Sequence, residues 1–268
     1  MKKSIKELLE FSIMNIDKPA GPTSFNVDEY IKRQLGLRKA THFGTLDPKV
    51  TGVLPIALNR AARLQQYFMH KNKSYAGIMR VHKEIEIRAL EKHIKKFTGK
   101  IIQKPPVKSR VKRQEREREV FSFKVLEREG KDFLFETEVQ AGTYIRKLID
   151  DLGKEIGGAH MLELRRTKAG IFNEEGLVSL YEFKQAVEEY KQGKEEKLRK
   201  ILIPAEIVKK VLPEVQVKKE ALEKLYNGSP IQEGMLKDKA DLKKESAVFF
   251  RETFVGVYEE DKPKFVLN

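Results

Sequence analysis

His42-Phe43-Gly44-Thr45-Leu46-Asp47-Pro48-Lys49-Val50-Thr51-Gly52-Val53-Leu54-Pro55 is the stretch on which the reading of this chain turns. Gly44 and Gly52 permit backbone angles closed to other residues, and Pro48 denies Asp47 a helical conformation. The expected structure is a stiff loop, not a regular element, with a carboxylate held between glycine and proline. Binding and catalytic groups concentrate on such loops, which makes Asp47 a candidate catalytic residue. Taken by itself, Asp47 would equally serve to cap a turn into a helix after Pro55.

Hydrophobic periodicity organises the chain on either side. Residues 12–16 form an apolar strand candidate that runs into the turn-rich Asp17-Lys18-Pro19-Ala20-Gly21-Pro22. Thr23 or Ser24 then caps a helix presenting Val27, Tyr30, Ile31 and Leu35, with Gly36 as its stop. Further helices are expected around Ala57, Ala61, Leu64 and Phe68, through Ile87, Leu90, Ile94 and Phe97, and through Ile145, Leu148, Ile149, Leu152 and Ile156. Phe121, Phe123 and Val125 alternate, a turn follows at Gly130, and Phe133, Phe135, Thr137 and Val139 alternate again, which predicts a hairpin. Ser179-x-x-Glu182 is a capping box ahead of Leu180, Phe183, Val187 and Tyr190. The Lys- and Glu-rich residues 191–200 read as a linker, and the short apolar pieces beyond Pro204 as a small β-rich module.

The 268 residues carry 54 Lys and Arg against 40 Asp and Glu, a formal net charge of +14. That excess points to a polyanionic partner; a thermophile's surface would explain many charges of both signs but not the imbalance. With 40% hydrophobic residues the chain can build a core. The absence of Cys excludes disulfides, thiolate nucleophiles and Cys-ligated metal centres. No pair of the five His has metal-ligand spacing. The apolar runs, such as residues 53–58, are far too short to span a membrane. Glu7, Glu10 and Asn15 interrupt any signal-peptide core, and a cytoplasmic protein without membrane contact is expected.

Gly44-Thr45-Leu46-Asp47-Pro48-x-x-Thr51-Gly52-x-Leu54-Pro55 resembles the signature loop of the TruB family of pseudouridine synthases, closest to the dyskerin-like branch found in archaeal and eukaryotic H/ACA ribonucleoproteins. Four further segments are similar to family motifs, in family order: Asp17-Lys18-Pro19-x-Gly21-Pro22-Thr23-Ser24, Lys73-Ser74-Tyr75, Gly142-Thr143-Tyr144-Ile145-Arg146, and Ala159-His160-Met161-x-Glu163-Leu164-Arg165-Arg166-Thr167. The resemblance covers residues 12–190. It implies an α+β fold, with the pseudouridine-synthase mixed, mainly antiparallel sheet flanked by helices over residues 12–200. A small β-rich, PUA-like RNA-binding module over residues 204–268 is implied by Leu225-Tyr226-Asn227-Gly228-Ser229-Pro230, with residues 1–11 packed on it.

The implied reaction breaks the N1–C1′ bond of uridine, turns the base and rejoins it through C5. It is redox-neutral, so the resemblance implies neither cofactor nor metal, in keeping with the missing Cys and the scarce His, and one carboxylate nucleophile is sufficient to hold the intermediate. Asp47 is that nucleophile by resemblance, attacking C1′ or C6. Desolvation in an apolar pocket opposes its charge. Arg146, always cationic and able to bind a carboxylate bidentately, is the implied counter-ion; read alone, it is an ordinary helix-surface charge. Tyr75 matches the family Tyr that stacks on the flipped base and assists removal of the C5 proton, such a stack contributing ~1–3 kcal/mol. Lys18, Pro19 and Leu164 match positions lining the site. His42 matches the His that fills the space left by the extruded base, whose unstacking costs a few kcal/mol. Phe25-Asn26 and Phe43 depart from the pattern of archaeal relatives, and Phe43 beside His42 is expected to alter how a base enters.

Residues 104–118 hold seven basic residues against Glu115 and Glu117. Lys104, Lys108, Arg110, Lys112 and Arg113 are the expected phosphate contacts, supplying affinity without sequence choice; the plain alternative is a solvated charged edge. Neither a large bacterial-type insertion after His82 nor a Lys-rich eukaryotic tail is present, so the resemblance implies an archaeal-type catalytic subunit. Its expected function is isomerisation of uridines in rRNA, directed by H/ACA guide RNA and small accessory proteins, with the tRNA T-loop as a further substrate. The expected location is the cytoplasm, or the nucleolus in a eukaryote. Two alternatives rest on the same chain: a guide-independent tRNA pseudouridine synthase, and a non-catalytic RNA-binding scaffold. Asp47, Tyr75 and Arg146 argue against the scaffold, because binding alone needs none of them.

Overall fold

The computed structural model describes residues 3–105 and 112–267. Its larger sheet has 11 strands. Across it lie, in order, Val178–Ser179, Ser12–Lys18, Thr51–Leu58, Ala159–Ala169, Lys73–Val81, Asp132–Val139, Arg116–Glu129 and Gly99–Gln103. The short strands Ile203–Pro204, Ala40–His42 and Phe172–Asn173 pair beside this path. Neighbours are antiparallel except at two contacts, Val178–Ser179 with Ser12–Lys18 and Thr51–Leu58 with Ala159–Ala169. The second is only two residue pairs long, Thr51 with Arg165 and Gly52 with Arg166, and it divides the sheet into two halves.

Each half carries its own helices. Ser24–Leu35 begins at a Thr23 capping box and ends at Gly36 in the left-handed conformation, as its sequence predicts. It packs with Leu180–Lys191, Tyr30 meeting Phe183 edge-on at 5.9 Å. Ile87–Ile94 and Ile145–Ile156 pack against the other half. Ile145, Leu148, Ile149, Leu152 and Ile156 all face inward, the stripe that helical spacing requires. They join Phe133, Phe135 and Phe183 in one core, where burying each large side chain contributes ~1.5–3 kcal/mol.

Three expectations are corrected. The stretch 42–55 is a loop only to residue 50; Thr51–Leu58 is a strand paired with Ser12–Lys18, and Pro55 stands opposite Asn15. A strand buried on both faces reads as an unbroken apolar run, which is why residues around Ala57 carry a helical reading. Helical turns start later, at Asn59–Leu64 and Gln65–Met69, so Asp47 caps no helix. In the hairpin Arg116–Glu129 and Asp132–Val139, a bulge between Val120 and Ser122 turns Phe121 out to solvent while Phe123 is buried. Finally, Glu196–Ile201 within the supposed linker is helical, and Leu198 is fully buried in the main core.

The second sheet has four strands, Glu214–Gln216, Ser246–Phe250, Thr253–Glu259 and Lys262–Val266. Phe11, just before the first strand of the larger sheet, stacks on Phe254 with ring centroids 5.2 Å apart. Phe249, Phe254 and Phe265 share an apolar cluster with Phe43, Phe68 and Phe172, so the small sheet packs directly on the larger body. The chain reaches it through Ile203–Pro204, whose Pro204 pairs with Ser12.

Candidate active site

Residues 43–50 cross the point where the two halves of the sheet meet, and each end of this loop is tied down. The Phe43 amide donates to the Pro55 carbonyl at 2.9 Å. The Phe43 ring is buried against Phe68, centroids 4.8 Å apart and nearly parallel. It therefore packs into the body and does not line the way in for a base, contrary to expectation. Leu46 is held from the helix Ser24–Leu35: its amide donates to Ser24 Oγ at 2.8 Å, and Ser24 Oγ donates to its carbonyl at 3.1 Å. The Pro48 carbonyl accepts from the Gly21 amide at 2.9 Å and from Lys18 Nζ at 3.1 Å. Between these anchors the Asp47 side chain is 57% exposed.

Arg146 reaches it from the other half. Its Nη2 lies 3.2 Å from Asp47 Oδ2, and its own side chain is 60% exposed. A pair this open is screened by water and contributes at most ~1 kcal/mol to stability; its use is orientation. Arg146 and Lys147 stand in the first turn of Ile145–Ile156, where the helix macrodipole disfavours cations and favours an anion. Local cost at such a place is characteristic of functional positions. The turn before it is clamped by Gln103, which accepts from the Tyr144 amide at 3.0 Å and donates to the Tyr144 carbonyl at 3.3 Å.

Beneath the loop lie three buried cations. Lys18 donates to the carbonyls of Pro19 and Pro48 at 2.7 and 3.1 Å. Burial pushes its ammonium below the ordinary lysine range, and the nearby Asp47 carboxylate partly restores it. Lys73 donates to the Met69 carbonyl at 2.7 Å and to the Lys71 carbonyl. Burial, and then the adjacent Arg166 cation, push it down to about 7. Arg166 is 1% exposed, with Nε donating to the Val53 carbonyl at 2.8 Å and Nη2 to the Gly44 carbonyl at 3.0 Å. Desolvation lowers its pKa as well, opposed by its interaction with the Tyr75 hydroxyl. Among the described residues none of the three is ion-paired to a carboxylate within salt-bridge distance; backbone carbonyls solvate them instead. The interior beneath the loop is thus positive, and Asp47 is the acid on the exposed side of it.

The structure gathers Asp47, Arg146, Lys18, Pro19 and Tyr75 around the junction. Tyr75 is paired across the sheet with both Arg166 and Thr137. Leu164 is buried opposite Gly77, two residues from Tyr75 along the same strand. His42 is held away from Asp47: Nδ1 lies 2.7 Å from Asp28 Oδ2 and Nε2 lies 3.0 Å from Thr45 Oγ1. Lys104, Lys112 and Arg113 are exposed, while Lys108 and Arg110 fall outside the described residues. Sequence reasoning missed the structural roles of Arg166, Lys73, Gln103 and Ser24. A signal for Arg166 existed, since on a strand it shares a face with the core residue Leu164. Gln103 and Ser24 carry none.

Among the described residues no three His, Asp or Glu side chains form a metal-holding group, and no helix is long and apolar enough to cross a membrane. Comparison with known proteins gives this geometry a context. Residues 32–89 match the N-terminal domain of the TruB family pseudouridylate synthases, and residues 146–208 match the C-terminal domain of tRNA pseudouridylate synthase B. A probable tRNA pseudouridine synthase B of Methanopyrus kandleri is 44% identical over 230 residues, 85% of this chain and 68% of that protein. Its namesake in Pyrococcus abyssi is 43% identical over 247 residues, 91% of this chain and 74% of that protein. Among solved structures, a Cbf5-Nop10-Gar1 complex matches with TM-score 0.87 and 40% identity, covering 96% of this chain and 80% of the matched one. An H/ACA RNP bound to a substrate RNA containing 2'-deoxyuridine matches with TM-score 0.86 and 38% identity, again over 96% and 80%. The chain belongs to the TruB family of pseudouridine synthases, which are RNA isomerases.

Proposed function

We propose that this chain is the catalytic subunit of a guide-RNA-directed H/ACA ribonucleoprotein, converting uridines of rRNA to pseudouridine, with the tRNA T-loop as a further substrate. The observation that carries the reading is the Asp47–Arg146 pair, 3.2 Å apart, above the buried cations where the two sheet halves meet. Arg146 orients the Asp47 carboxylate for attack on the bound uridine. Asp47 attacks C1′ or C6, the N1–C1′ bond breaks, and the base turns. C5 then bonds to C1′, the bond to Asp47 breaks and frees its carboxylate, the C5 proton leaves, and N1 takes up a proton. Tyr75 stacks on the flipped base and assists the C5 proton transfer, while Lys18, Pro19 and Leu164 line the pocket and His42 fills the vacated stack. Lys104, Lys108, Arg110, Lys112 and Arg113 contact phosphates. Residues 204–268 serve as the PUA-like RNA-binding module beside the catalytic unit; of residues 1–11, expected to pack on it, Leu8 and Leu9 lie instead in the core of the larger body and Phe11 stacks on Phe254. The likeness to H/ACA structures supports the guide RNA and small accessory proteins as partners, in the cytoplasm of an archaeal-type cell. The curated relatives' names favour a second reading, guide-independent action on tRNA.

Tritium release from 5-tritiated uridine tests both, using the full chain with guide RNA and accessory proteins on rRNA, and the chain alone on tRNA. Release from guide-paired rRNA, lost in Asp47→Asn with RNA binding retained, is expected. Release from bare tRNA only would favour the second reading. Equal release by the Asp47→Asn form would remove Asp47 as nucleophile.

A further inference from the structure

A small cavity lies beside the turn that precedes Arg146. It is about 70 Å³ in volume and is lined by Gln103, Pro105, Arg116, Arg118, Gly142 and Tyr144. Arg116 and Arg118 are separated by one residue on the strand Arg116–Glu129, so both side chains leave the same face. Their Nε atoms are enclosed and have no hydrogen-bond partner. Arg118 Nη1 donates to the Glu117 carbonyl at 2.7 Å, which steadies the guanidinium without neutralising it. Gln103 does not satisfy the Nε donors; its amide is turned to Tyr144 at both ends. Of the acids on the same strand, Glu117 projects to the opposite face, where it pairs with Lys100 at 3.1 Å. Among the described residues neither arginine has a salt-bridged carboxylate.

Two like charges side by side with orphaned donors are costly unless an acceptor arrives. The wall they form offers donors and positive charge. Gly142 belongs to the site: with φ +83°, a Cβ there would stand 3.2 Å from Arg118 Nη2, so glycine leaves room for the guanidinium. The positive charge of the two guanidinium groups and the small volume suit a tetrahedral anion. Guanidinium groups bind phosphate oxygens through charge-assisted bonds.

We propose that this cavity binds one phosphodiester of the RNA strand carrying the target uridine, fixing the register of the strand relative to Arg146 and Asp47. The proposal rests on the RNA-isomerase reading and adds to it a defined subsite. Both arginines close the basic stretch 104–118 that the sequence marks as a phosphate-contacting edge, and the cavity gives this pair a defined subsite within it.

The test measures binding of the full chain to an RNA oligonucleotide that holds the target uridine, across a range of salt. Arg116→Met and Arg118→Met are each expected to bind roughly tenfold more weakly. The slope of log affinity against log salt should become shallower by about 0.7 for each arginine replaced. Phosphates flanking the uridine are then replaced one at a time by neutral methylphosphonate. One linkage is expected whose neutralisation weakens the native chain and leaves the Arg118→Met form unaffected. Arg116→Lys and Arg118→Lys, which keep the charge but not the fork, should retain the salt slope and lose that single-linkage coupling; they serve if a Met form fails to fold by thermal melt. Equal affinity and slope in native and variant chains would overturn the proposal. So would stabilisation of the native chain alone by inorganic phosphate with no coupled RNA linkage, which would make this a free-anion site. Tritium release by the native chain separates the two readings. Coupling without release overturns the isomerase reading, and release without coupling overturns the subsite.

Discussion

Arg166 and Gly44 are 122 residues apart in the chain, yet the guanidinium Nη2 of one donates to the carbonyl of the other at 3.0 Å. The same guanidinium holds the Val53 carbonyl at 2.8 Å. One buried side chain thereby joins the strand Ala159–Ala169 to both flanks of the loop that displays Asp47. Removing it by Arg166→Met orphans two buried carbonyls, while relieving the desolvation of a cation. The orphaned groups are expected to dominate, with a net loss of roughly 1–3 kcal/mol in urea denaturation. Turnover should fall further than RNA affinity. Arg166→Lys should recover part of the stability and little of the turnover, since one ammonium does not span both carbonyls in the guanidinium's geometry.

Lys73 sets a pH dependence that originates in a buried cation. Its folded pKa is depressed to about 7 by burial and by Arg166, while the unfolded chain keeps the ordinary lysine value. Between those two values the unfolded state binds the extra proton, so stability rises with pH, at most ~1.4 kcal/mol per unit. Below about 7 both states are protonated and the burial penalty is fully present. The difference in stability between native chain and Lys73→Met, followed by denaturation from pH 6 to 10, should therefore shift in favour of the native chain as pH rises. A flat difference would refute the depressed value.

Gly52→Ala strikes the two-pair contact between the sheet halves. Gly52 has φ +100°, and a Cβ would stand 2.2 Å from the Arg166 carbonyl oxygen. The backbones must separate to admit it. A loss exceeding about 3 kcal/mol is expected, with hydrogen exchange accelerated at Thr51, Arg165 and Arg166 ahead of the helices.

Phe11→Ala removes the ring that stacks on Phe254. A buried Phe replaced by Ala costs roughly 3–5 kcal/mol. Limited proteolysis should show new cleavage near residue 204, and the thermal transition should broaden or split as the small sheet loosens from the larger body.

The elements with the strongest local signatures are legible in the sequence. Thr23 and Ser179 announce their helices by side-chain caps, Gly36 ends one by its left-handed backbone, and Ile145 through Ile156 show their inward stripe. Thr51–Leu58 escapes such a reading because a strand covered on both faces loses its alternation. Phe121 is turned outward by a bulge, which leaves no mark in residue type. At the site, Asp47 and Arg146 follow from motifs, and their meeting at 3.2 Å is a tertiary fact. The buried cations are hidden for a different reason. Lys18, Lys73 and Arg166 are residue types that belong outside by default, and only the carbonyls turned toward them make the interior tolerable.

The pairing of Ser12 with Pro204 means that the chain enters and leaves the larger sheet side by side. Joining those two positions by a short connection would turn the catalytic body into a closed loop with its cleft intact. The small sheet is then spliced in at one seam, and exchanging it for another RNA-holding unit would leave every strand pairing around Asp47 where it is. Diversification of the RNA held and constancy of the chemistry are separable in this chain by construction of its topology.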